Sequence, residues 1–222
     1  GLPDSRSITY GYDALGRRSS RTDGAVTTTF LYDGDDVVLD RGSDLSTVDY
    51  INGARIDEKL RLSGSTGTLY FLQDHLGSTT AVLEASGTVA ERERYEPFGL
   101  STTGTLTRYG FTGRERDSAT GLMYYRARWY DAEQGRFISE DPLGFEAGLN
   151  MYEYGMNDPV GNSDPSGLLT IVIPGTAYDP GEWYESGVLK RAEGTFCEHA
   201  HLWTKGWSGG NTWQDRKRAA RA

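Results

Sequence analysis

Three times in its first 83 residues the chain repeats one short plan, an aromatic strand pattern, a turn marked by Asp and Gly, and a second strand pattern. In the first copy Ile8, Tyr10 and Tyr12 alternate along one strand face, and Asp13-Ala14-Leu15-Gly16 supplies the turn. The second runs from Phe30 and Tyr32 through Asp33-Gly34-Asp35-Asp36 to Val37, Val38 and Leu39. The third runs from Tyr70, Phe71 and Leu72 through Asp74-His75-Leu76-Gly77 to Thr79, Thr80, Ala81 and Val82. Gly16, Gly34 and Gly77 stand where a tight turn requires positive φ, so each unit reads as a β-hairpin. An isolated two-stranded hairpin is barely stable in water, and the units are therefore expected to pair edge to edge into one sheet. The 29 Gly and 14 Tyr, with only 36% hydrophobic residues, fit many short strands and turns better than helices. The expected fold is mainly β, with antiparallel hairpins over residues 7–140.

Tyr12-Asp13-x-x-Gly16-Arg17 resembles the YD repeat of the RHS family, and the likeness becomes specific over residues 95–168. There the chain reads YEPFG, then RYGFTGRERDSATGLMYYRARWYDAEQGRFISEDPLG, then NMYEYGMNDPVGNSDPSGL, which is similar to the RHS-associated core. The resemblance implies that YD-repeat hairpins (1–94) form part of a hollow shell. It further implies that an RHS-associated core (95–168) closes one end of it, and that residues 169–222 begin a variable, toxic C-terminal domain. Within the core Tyr124, Tyr125, Trp129, Tyr130 and Phe137 alternate with Arg126, Arg128 and Arg136. That pattern suits strands with a packed aromatic face and guanidinium groups stacked or paired on the other.

Two Asp-Pro-x-Gly tetrapeptides carry the candidate chemistry: Asp141-Pro142-Leu143-Gly144 and Asp164-Pro165-Ser166-Gly167, with 19 residues between them. Pro142 and Pro165 fix φ, and Gly144 and Gly167 permit an unusual backbone, so each turn can hold its Asp rigidly. Two carboxylates brought close together do not both ionise easily; one then acts as acid and the other as base on a water. Arg136, five residues before Asp141, is close enough to pair with that carboxylate. The resemblance implies that the pair cuts the chain's own Leu168–Leu169 bond. Asp-Pro is also common in plain turns, and Asp158-Pro159-Val160-Gly161, a third copy, is read as one of those.

Past Leu168 the sequence changes to Leu-Leu-Thr-Ile-Val-Ile-Pro-Gly-Thr, an apolar run suited to a strand buried on both faces of a parallel sheet. IVIPGT and WSGGN resemble the opening of lipase-like α/β-hydrolase toxin domains. Gly206-Trp207-Ser208-Gly209-Gly210 fits the nucleophile-elbow pattern, yet the polar stretch before Ser208 and the 12 residues left after Gly210 do not supply its strand, acid and base. Cys197, His199 and His201 are too close together to wrap one zinc ion without further ligands, so neither metal nor cofactor is expected.

A net charge of −9 argues against a nucleic-acid backbone as partner. Residues 169–222 hold seven Lys/Arg against six Asp/Glu, which leaves 16 against 26 before them and sets the two stretches apart. With Cys197 the single cysteine, no intramolecular disulfide staples the fold, and no apolar run is long enough for a membrane span. The start carries no signal-peptide pattern and begins in mid-repeat, which suggests a piece of a longer parent; the resemblance implies that this parent is secreted or delivered out of a bacterial cell. The partners implied are the chain's own C-terminal toxin domain inside the shell, together with a secretion apparatus or an immunity protein. Three functions stay open at this point: a self-cleaving shell that releases cargo, a shell or binding module that does not cleave, and packaging for a lipase-like effector.

Overall fold

The computed structural model describes residues 7–168, apart from 66, 102, 105 and 145–148, together with the backbone of residues 171–172. Residues 1–172 make one compact unit; residues 173–222, the second unit, lie outside the described residues.

Nine antiparallel strands follow one another across the first sheet in chain order: β1 (Ile8–Tyr12), β2 (Arg18–Asp23), β3 (Val26–Asp33), β4 (Asp36–Gly42), β5 (Thr47–Asn52), β6 (Lys59–Gly64), β7 (Gly67–Gln73), β8 (Thr79–Glu84) and β9 (Val89–Arg92). The three turns expected from the sequence join β1 to β2, β3 to β4 and β7 to β8. Two of them are built identically. Asp13 Oδ1 accepts from the amides of Leu15 and Arg17, and Asp74 Oδ1 accepts from those of Leu76 and Ser78, at 2.8–2.9 Å. The glycine three residues on, Gly16 or Gly77, takes φ of 76° or 86° and donates its amide to the carbonyl of that Asp. Register shifts recur at Gly11/Tyr12, Leu31/Tyr32, Ile51/Asn52 and Leu72/Gln73, one beside the turn of each odd-to-even hairpin. Such bulges add right-handed twist, so the sheet is bent at regular intervals.

One face of the sheet buries Phe30, Val37, Tyr50, Leu62, Phe71 and Val82, and Tyr109 from the following segment packs onto them. Each such side chain contributes about 1.5–3 kcal/mol by leaving water. Residues 109–154 form a second cluster of Phe111, Met123, Tyr125, Tyr130, Ala132, Phe137 and Tyr154. Its frame is a four-stranded sheet of β10 (Glu115–Arg116), β11 (Met123–Tyr125), β12 (Arg128–Asp131) and β13 (Arg136–Phe137).

Buried ion pairs join these two layers. Arg108 holds Asp40 of β4 and, at 2.8 Å, Glu115; Arg18 of β2 reaches the same Glu115; Arg114 holds Asp57 of the β5–β6 connection at 2.6 Å. Burial pushes the Glu115 carboxyl up, but Arg108, Arg18 and Arg114 outweigh it and bring its pKa down to about 2.

The apolar run after Leu168 departs from expectation where it is described. β15 (Ile171–Val172) pairs antiparallel with β14 (Asn162–Ser163). The two strands run in opposite directions, so an antiparallel neighbour replaces the parallel one expected from hydropathy.

Candidate functional site

The site grows from the turn between β12 and β13. Asp131 Oδ1 accepts from the amides of Glu133 and Gln134, and Gly135 turns the chain with φ of 66°. Pairing of Tyr130 with Phe137 then lays the segment leading to Asp141 alongside β12. Asp141 is fixed by its own amide, which donates to Met151 O at 2.9 Å, and by its Oδ1, which accepts from Leu143 N at 2.8 Å. The second motif closes the same kind of turn. Asp164 Oδ1 accepts from the amides of Gly167 at 2.9 Å and Leu168 at 3.2 Å and from the Ser166 hydroxyl at 3.1 Å.

The two aspartates meet on one nitrogen. Nη2 of Arg128 lies 2.9 Å from Asp141 Oδ2 and 3.2 Å from Asp164 Oδ2. Asp141 is 5% exposed, Asp164 1% and Arg128 3%, so water screens none of these charges. The rest of the guanidinium is also occupied: Nε donates to Gly167 O, Nη1 donates to Met151 O at 3.0 Å, and the group lies 3.6 Å from the centre of the Phe137 ring. Burial draws the pKa of Arg128 below its ordinary value, while Asp141 and Asp164 push it back up.

Arg136 does not take the place expected for it. Its side chain is exposed and stacks 4.6 Å over the Tyr152 ring, and Arg128 holds Asp141 instead. The cause is strand phase. Arg128 and Tyr130 are two residues apart on β12 and both point into the protein, so Arg128 shares the buried face with the aromatics and does not lie opposite them. An arginine in step with Tyr130 is the sequence signal of that phase; a buried arginine needs carboxylates, and the two motif aspartates supply them.

Gly167 is held to glycine by space as well as by its φ of 68°: a Cβ there would lie 2.2 Å from Tyr125 O. Gly144 has φ of 59° with open space around it, so only its backbone angle matters. Asp158 accepts from Gly161 N at 3.1 Å in an exposed turn, the plain role expected for it. Leu168 is half-buried at the end of the second turn. Leu169, and with it Ser208, Cys197, His199 and His201, lie outside the described residues. Among the described residues no group of three or more His, Cys, Asp or Glu could hold a metal, and no helix is long and apolar enough to cross a membrane.

The arrangement can fix a peptide in a tight turn and hold two buried carboxylates beside it. The chain is similar to several known proteins. The family model of the Teneurin YD-shell matches residues 3–160. The tRNA(Glu)-specific nuclease WapA of Bacillus subtilis subsp. natto is 31% identical over 200 residues, which is 83% of this chain and 8% of that protein. Toxin subunit YenC1 of Yersinia entomophaga is 36% identical over 45% of this chain and 11% of its own length. The crystal structure of TcdB2-TccC3-Cdc42 superposes with a TM-score of 0.57 and 28% identity, covering 72% of this chain and 9% of that one.

Proposed function

The chain belongs to the YD-shell family, and on that premise we propose that it is the closing end of a toxin-carrying shell that cuts itself after Leu168 and so frees the segment beyond. The observation that carries this reading is the meeting of Asp141 and Asp164 on Arg128, beside a turn in which Asp164 also receives the Leu168 amide. Relatives named as a toxin subunit and as a nuclease share the shell portion, and this chain spans only about a tenth of their length, in keeping with a shell that carries different cargoes.

The chemistry follows from charge. For the pair to act as acid and base, one carboxylate must carry a proton and the other must be free to take one. One carboxylate then takes a proton from water as it attacks the Leu168 carbonyl carbon, and the other gives its proton to the Leu169 nitrogen as the C–N bond breaks. The products are a new carboxyl terminus at Leu168 and a new amine at Leu169. Arg128 fixes the turn through Gly167 O and holds both acids in place; Arg136 has no part in it.

Intact mass and N-terminal sequencing test the proposal. The wild-type chain should yield two pieces joined at Leu168–Leu169. Asp141→Asn and Asp164→Asn should slow cleavage by about 10²–10⁴-fold without unfolding the shell, the range for lost general acid–base catalysis. Ser208→Ala should cleave normally. A wild-type chain that stays whole, or an Asp164→Asn chain that still splits there, would leave the aspartates as turn residues and the protein as a shell that does not cleave.

A further inference from the structure

The loop that carries the cleavage turn is gripped by three consecutive residues. Arg126 Nη1 donates to Pro165 O, the Ala127 amide donates to Ser166 O at 3.1 Å, and Arg128 Nε donates to Gly167 O. Arg126 sits in the left-handed region with φ of 53°, a position awkward for a branched or bulky side chain. That guanidinium is held in turn by a bidentate fork on Asp57, with Nη2 2.8 Å from Oδ1 and Nη1 3.1 Å from Oδ2. Asp57 also takes Arg114 Nη1 at 2.6 Å, and Arg114 donates twice to Tyr124 O, at 3.1 and 2.8 Å. Asp57 is 5% exposed, and its own backbone is left-handed with φ of 58°.

Asp57 belongs to neither motif. It lies on the connection between β5 and β6, in the repeat sheet, 69 residues from Arg126 in sequence. We propose that Asp57 is a positioning residue for self-cleavage, which sets the 164–168 turn through Arg126 and makes the reaction depend on a folded β5–β6 hairpin. The proposal rests on the cleavage reading above and adds a condition to it. A chain whose sheet has not yet formed leaves Arg126 without its fork, Pro165 O without a fixed donor and the scissile bond out of register. The cut therefore follows assembly of the sheet that Asp57 reports on.

Two measurements on the full chain test this. In the first, Asp57→Asn keeps size and shape but removes the charge that holds both arginines. Cleavage should slow by about ten- to a hundredfold, the effect of small misplacements at a reacting centre, with the shape of its pH–rate profile unchanged. Val82→Ala, in the apolar core of the sheet, gives a comparably destabilised control that should cleave near the wild-type rate. In the second, amide hydrogen exchange is read in the Asp141→Asn chain, where cleavage is expected to be slow. Adding Asp57→Asn should speed exchange at Gly167 and Leu168 while leaving the β7–β8 amides protected. Asp57→Asn cleaving at the wild-type rate, slowing only as much as Val82→Ala, or leaving the Leu168 amide as protected as before would overturn the proposal. Normal cleavage by Asp141→Asn alone would instead sink the aspartate mechanism, and the exchange result would still decide whether Asp57 holds the turn.

Discussion

The repeat turns at Asp13–Gly16 and Asp74–Gly77 and the motif turns at Asp141–Gly144 and Asp164–Gly167 use the same backbone device in different surroundings. In all four the aspartate side chain accepts amides from the residues that follow, and the glycine three positions on has positive φ. In the repeats the carboxylate has nothing further to do than cap a turn near solvent, as where Asp13 pairs with the half-exposed Arg17. In the motifs the second oxygen of each carboxylate points inward and meets Arg128. Turn chemistry alone is therefore no evidence of catalysis. What separates the two classes is burial and a shared cation, and an aspartate acquires that by its place in the fold.

The comparison breaks most sharply at Arg128. Arg128→Met should leave two buried carboxylates without their cation and cost about 3–5 kcal/mol in urea unfolding, whereas Arg17→Met at the repeat turn should move the midpoint little. Equal effects would erase the distinction. Next comes glycine. Gly16→Ala meets open space and should lose only the cost of left-handed backbone, about 1–2 kcal/mol. Gly167→Ala adds a Cβ 2.2 Å from Tyr125 O, so it should cost more than that by thermal melting and should abolish cleavage.

A titration probes the ion pairs that join the two layers. Glu115 has a folded pKa of about 2, below its unfolded value, so its contribution is complete above the usual carboxylate range and is lost as pH falls toward 2. Thermal melts should therefore fall through that acid window, and Glu115→Gln should flatten the fall by on the order of 2 kcal/mol. A profile unchanged in that variant would assign the acid sensitivity elsewhere. A smaller effect is expected at Asp74→Ala, which removes the oxygen that accepts from two amides of a repeat turn and should cost about 1 kcal/mol, with cleavage unaffected.

The hairpins were legible because their turns are local. Asp13 to Gly16 contains both the acceptor and the left-handed residue the turn needs, and no distant partner intervenes. The motif aspartates were legible for the same reason and through family likeness. Arg128 was not picked out from Arg126 and Arg136, since the choice depends on which residues of a four-residue strand face inward. Asp57 was invisible: it lies in no repeat or motif, and its partners stand 57 and 69 positions away in the chain. The tail's antiparallel pairing was missed because hydropathy reports burial and says nothing of strand direction.

The strictly sequential strand order has one more consequence, for how such a chain can change length. Each strand of the first sheet pairs only with its neighbours in sequence, so duplicating or deleting a whole hairpin would re-pair the remainder without altering any register. The segment that follows the sheet is under a different constraint. Residues 108–115 reach back to Arg18, Asp40 and Asp57, three fixed addresses on β2, on β4 and between β5 and β6. Together these contacts work as a ruler. Growth upstream of β1 is unrestricted by them, while an added hairpin between Arg18 and Asp57 would pull the addresses apart and leave residues 108–115 unable to reach all three, so variation in repeat number belongs on the far side of Arg18.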